Sequence, residues 1–105
     1  MLVGISLYPH EAATKVAKKY LEMIKKYPPD PEISETIAIC ARATKKGIET
    51  LSVANVKKGN VEEALSRSAT WNQEFATSID GYKWKTNAYL DMAEAYKAVG
   101  MEPPE

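Results

Sequence analysis

The chain holds one cysteine and one histidine among its 105 residues, and each scarcity removes a class of chemistry. A lone Cys40 excludes an internal disulfide. With His10 as the only imidazole it makes poor material for a zinc centre, so neither a metal nor a cofactor is expected. Excess charge of one sign is also missing. Lys and Arg number 14, as do Asp and Glu, and a net charge of zero argues against a broad footprint for nucleic acid or anionic lipid. No apolar run approaches the ~20 residues that span a bilayer. No basic segment followed by an apolar one opens the chain, so no signal peptide is visible and a cytoplasmic protein without membrane contact is the expectation. G-x-x-x-x-G-K-[ST] and G-x-G-x-x-G are both absent, which removes the usual phosphate cradles.

What is present is organised as alternating strands and helices in a single domain, 1–105. Leu2 to Tyr8 alternates around Gly4 and Ser6 and stops at Pro9, which reads as a strand. From His10 to Tyr27 the apolar residues Ala13, Val16, Ala17, Tyr20, Leu21, Ile24 and Tyr27 recur at three and four, opposite a lysine-rich face. "YPPDP" ends that helix, since proline lacks a donor and restricts its predecessor. Thr36–Ala43 and Ile48–Val56 are two strands joined by "TKKG", a hairpin in which Gly47 is free to take a positive φ. Asn60 and Glu63 stand at capping-box spacing before a second helix that Asp80-Gly81 ends. Tyr82–Leu90 alternates as a fourth strand. "DMAEAYKAVG" reads as a short helix capped by Asp91 and Glu94 and stopped at Gly100, before a "MEPPE" tail.

The order β-α-β-β-α-β with a short last helix resembles the ferredoxin-like fold, an α+β class. That resemblance implies a four-stranded antiparallel sheet of order 4-1-3-2 with both long helices on one face. Alternation then predicts a core face of Val3, Ile5, Leu7, Ile37, Ile39, Ala41, Leu51, Val53, Trp84 and Leu90. It leaves Gly4, Ser6, Tyr8, Ala38, Cys40, Arg42, Thr50, Ser52, Ala54, Lys85, Asn87 and Tyr89 on the other face. A water-facing sheet usually carries long charged side chains, so this small-residue surface is expected to meet a second one.

With "GISLYP", the "TKKG" hairpin and "DGYKWKTNAYLDMAEAYKAVG", the chain resembles the dimeric α/β-barrel superfamily. Its members include stress-responsive barrel proteins and cofactor-independent monooxygenases related to antibiotic biosynthesis. The resemblance implies a homodimer through the open sheet face and a small-molecule pocket in or beside the barrel. It carries no catalytic residue over.

The candidate residues stand on their own chemistry. His10, just past the first strand, reads as a general base or as a solvated residue in the first helical turn, and the second is the simpler reading. Tyr8, Arg42, Asn72 and Tyr89 are the groups expected to bind a ligand, with Arg42 supplying charge and the tyrosines apolar walls. Cys40 reads as a small hydrophobe rather than a nucleophile. RNA-recognition sheets of this fold need stacking aromatics that "IETLSVANV" lacks, and metal-chaperone relatives need a C-x-x-C that "YPHEAA" lacks. Three functions remain: a small-molecule-binding protein or cofactor-independent enzyme, an interaction protein whose sheet only makes a dimer, and an amino-acid-sensing regulatory module.

Overall fold

A computed structural model describes residues 1–104; Glu105, the end of the expected domain and of its tail, lies outside the described residues. Strand β1 (Leu2–Tyr8) leads through a 3-10 turn (His10–Ala12) into helix α1 (Ala13–Lys26). Strands β2 (Ser34–Thr44) and β3 (Gly47–Val56), helix α2 (Val61–Ser78), strand β4 (Lys83–Ala88) and helix α3 (Met92–Ala98) follow. The α-helix therefore begins at Ala13 rather than His10. The Ala12 N–H closes a tighter turn on the Pro9 carbonyl at 3.0 Å, using up the first turn.

The strands make one antiparallel sheet of order β2-β3-β1-β4, so the chain is α+β. The two capping expectations divide. Glu94 N–H donates to Asp91 Oδ1 at 2.7 Å and Asp91 N–H to Glu94 Oε1 at 3.0 Å, a complete capping box. At α2, Asn60 holds the cap position without a side-chain cap bond. Its Nδ2 donates instead to the Glu32 carbonyl at 3.1 Å, tying the helix start to the loop before β2.

The helices cover a different face of β1 and β3 from the one alternation suggests. Leu2 packs with Ile33 and Ala64, Tyr8 stacks on Tyr82 at 6.2 Å, and Ser68 of α2 hydrogen-bonds Thr86 of β4 at 2.7 Å. Across the ladder Gly4 stands opposite Ser52 and Thr86, and Ser6 opposite Thr50 and Trp84; directly opposed residues share a face. Gly4, Ser6, Tyr8, Thr50, Ser52 and Ala54 thus lie under the helices, not on the open face. Val3, Ile5, Leu7, Leu51 and Val53, expected in the core, share the open face with Lys83, Lys85 and Asn87. Leu90, also expected inside, is 61% exposed.

β2 behaves otherwise because its register against β3 shifts between Thr36 and Ala38, leaving Ile37 as the extra residue of a bulge. Beyond it Ile39 pairs with Ser52 and Ala41 with Thr50 on the helix side, while Ala38, Cys40 and Arg42 take the open face as expected.

The physical reason for the exchange is that the helices and loops, not the sheet, supply the bulk of the core. Met23, Phe75 and Ile79 are buried together, with Val16, Tyr27, Trp71 and Tyr82 against them. A second cluster joins Leu2, Ile33 and Ala64 to Val56 and Leu65. Lys26 Nζ reaches Glu74 Oε1 at 2.8 Å and fastens α1 to α2. That ammonium, and then the Tyr27 hydroxyl, hold the Glu74 carboxyl below the usual carboxylate range. α1 rests on α2 and on the 3-10 turn rather than along the sheet, and the space beneath it stays open.

Candidate functional site

That space is a cavity of about 740 Å³, bounded by the sheet below and by α1 and α2 above. Its floor draws on all four strands: Ile39 of β2, Gly4 and Ser6 of β1, Thr50, Ser52 and Ala54 of β3, and Thr86 of β4. Gly4 is what keeps the floor level, since a Cβ there would stand 2.9 Å from Ser52 Oγ. Ser6, only 7% exposed, satisfies its hydroxyl on that of Thr50 across the ladder.

One wall is aromatic from end to end. Tyr20 meets Trp71 edge-on at 5.8 Å, Trp71 lies 5.7 Å from Phe75, Phe75 stacks on Tyr82 at 5.4 Å, and Tyr82 stacks on Tyr8. The sequence places these rings on one side because Trp71 and Phe75 are four apart on α2 and share its inner face. Val16 and Ile24 extend the apolar lining along α1. Both Tyr20 and Ile24 stay about two-fifths exposed, at 40% and 36%, although they point inward, because the cavity opens to solvent.

The polar groups inside are neutral and mutually bonded. Tyr82 OH donates to Asn72 Oδ1 at 2.8 Å, and Asn72 Nδ2 donates to the Ser68 carbonyl at 2.9 Å. Burial pushes the phenols of Tyr8 and Tyr82 upward, with the nearby Ser6 hydroxyl working the other way on Tyr82, so both stay protonated at neutral pH. The charged residues of the lining, Asp30, Glu35 and Arg67, belong to the end where "PPDP" enters β2. Arg67 donates to the Pro28 carbonyl at 3.1 Å there. Among the described residues no group of three or more His, Cys, Asp or Glu is placed to hold a metal ion.

Of the five residues singled out from the sequence, the structure brings two together. Tyr8 and Asn72 both line the cavity and are linked through Tyr82. Arg42 lies on the open face, paired with Glu49 at 2.8 Å and distant in register from Gly4. Tyr89 is 54% exposed, its carbonyl accepting from the N-terminal amine. His10 is exposed, and its Nε2 is 2.7 Å from the Thr44 carbonyl, which fixes that nitrogen as the donor. It acts as a strut between the exit of β1 and the tip of the hairpin.

The hydroxyl floor was missed by looking for titratable groups. The signal is nonetheless present: Ser6, Thr50, Ser52 and Thr86 are small hydroxyl residues within strands, and β1 pairs with both β3 and β4 to bring them to one face. Compared with protein-family models, curated proteins and solved structures, the chain finds no match.

Proposed function

We propose that the protein binds a small molecule in the cavity between its helices and its sheet, and that it does so as a homodimer of ferredoxin-like subunits related to the dimeric α/β barrels. The observation that carries the binding reading is the pairing of a hydroxyl floor with an aromatic wall around about 740 Å³, a volume usual for ligand sites. A core that lacked a ligand would gain by filling such a space with side chains. Binding is favoured over catalysis because the interior offers neutral phenols, hydroxyls and an amide, none of which titrates near neutrality. N-phenylnaphthylamine, an uncharged dye that brightens in apolar surroundings, should bind saturably at one per chain. Gly4→Val, which raises the floor on a residue type suited to strands, should weaken that binding at least tenfold while the circular dichroism is kept. Equal binding by the variant would refute the placement.

The homodimer reading rests on surface area. The chain exposes 7567 Å², whereas a folded monomer of its mass exposes roughly 5,800 Å². The surplus exceeds the ~800 Å² that each partner of a standard interface buries. The open sheet face supplies an apolar centre of Val3, Ile5, Leu7, Leu51 and Val53, with Lys83 and Lys85 at one edge and Glu49 toward the other. Val53→Glu should then convert a dimer into a folded monomer by light scattering. A wild-type monomer at micromolar concentration would remove this part of the reading.

A further inference from the structure

Resting on the binding reading above, we infer that the occupant of the cavity is an uncharged, flat aromatic molecule with a polar edge that both donates and accepts hydrogen bonds. The shape argument comes from the aromatic wall. Five rings in sequence line one side of the space with centroids 5.4–6.2 Å apart: Tyr20 and Trp71 meet at 76°, Trp71 and Phe75 at 38°, and Phe75, Tyr82 and Tyr8 follow near parallel. Gly4 leaves the floor without a side chain between Ser52 and Thr86. A rigid aromatic ring adds a further face or edge contact to this series, and aromatic pairing adds to what area burial alone provides. A flexible alkyl chain fills the volume but gains no ring pairing and loses rotamer freedom.

The charge argument comes from what the interior holds. An ionised ligand group buried beside hydroxyls alone would lose its hydration without a counter-charge. Asp30, Glu35 and Arg67 stand only at the "PPDP" end, and the central lining has no ionised side chain. The polar edge follows from the hydroxyl pairs. Ser6 with Thr50, and Ser68 with Thr86, are partners in which either oxygen is free to be the donor. Each pair can therefore turn to accept from a ligand O–H or N–H or to donate to a ligand oxygen. A polyol such as a sugar satisfies the hydroxyls but leaves most of the aromatic wall unmatched.

A series built on one skeleton tests this by titration calorimetry: para-phenylphenol, biphenyl carboxylate, the ammonium form of para-phenylbenzylamine, decanol and methyl glucoside. Para-phenylphenol should bind at least tenfold tighter than each of the others, and Gly4→Val should remove that preference. Leu21→Ser, on the outer side of α1, should retain it. Tighter or equal binding of the carboxylate, the ammonium, the alcohol or the sugar overturns the inference while leaving a binding cavity in place. Failure of all five probes together with N-phenylnaphthylamine overturns the binding reading itself.

Discussion

Phe75→Ala should cost about 3–5 kcal/mol of stability, enough to bring the domain near its unfolding threshold. The ring is 2% exposed and joins Met23 and Ile79 in the main cluster. It also sits between Trp71 and Tyr82 in the aromatic wall, at 5.7 and 5.4 Å. The truncation therefore subtracts burial, leaves a hole, and breaks two ring contacts at once. A hole there opens onto the existing cavity, so neighbours have little to collapse against. Thermal unfolding followed by circular dichroism should show a fall on the order of 15–30 °C. Leu21→Ala, at a side chain 60% exposed, should move the midpoint little. A fall under about 5 °C for Phe75→Ala would mean that the helices do not carry the core.

Gly47→Ala should be nearly as costly, for a reason that involves no lost contact. Gly47 has φ 148° in the hairpin turn, where an added Cβ would stand 2.3 Å from the Tyr8 carbonyl oxygen. That oxygen belongs to the end of β1, which pairs with Ile48, so it has no room to retreat without breaking the ladder. Backbone strain and steric overlap together should cost about 3 kcal/mol. Gly59 provides the control: its φ is 87°, yet nothing lies within 4 Å of its would-be Cβ. Gly59→Ala thus meets strain alone and should cost about 1 kcal/mol. Equal costs at the two positions would show that the hairpin yields freely. Because the Tyr8 ring ends the aromatic wall, Gly47→Ala should also loosen binding of a ligand.

The order of the elements was legible because each is marked locally: proline after Tyr8 and Tyr27, glycine in the hairpin, and Asp91 with Glu94 at the last cap. The cap at Asn60 was not legible, since its amide is drawn to the Glu32 carbonyl by a loop that only the fold brings near. Face assignment failed on β1 and β3 because the rule that bulkier residues face the core assumes a filled core. Here Val3, Ile5 and Leu7 are bulkier than Gly4 and Ser6, yet the helices cover the latter and a cavity takes the place of side chains. The bulge at Ile37 leaves no mark in the alternation of "ETIAICAR", so the exchange of faces between β2 and β3 was hidden as well.

That Tyr8 and Asn72 line the cavity was legible for the same local reasons, the strand exit at Pro9 and the inner stripe of α2. The place of Arg42 away from the cavity was not legible, because its pairing with Glu49 across the hairpin is set by the shifted register. His10 reads as a turn residue from sequence, and its bond to the Thr44 carbonyl gives that turn a task.

A ligand held between helices and sheet touches different side chains from one held on the open sheet face. Methyl-resolved nuclear magnetic resonance with para-phenylphenol tells the two apart most directly, because the two faces carry different methyl groups. Nuclear Overhauser contacts should run from the probe's rings to Val16, Ile24, Thr50 and Thr86, all of which line the cavity. Contacts to Val3, Leu7 and Val53 instead would place the ligand on the opposite face of the same strands and contradict the account.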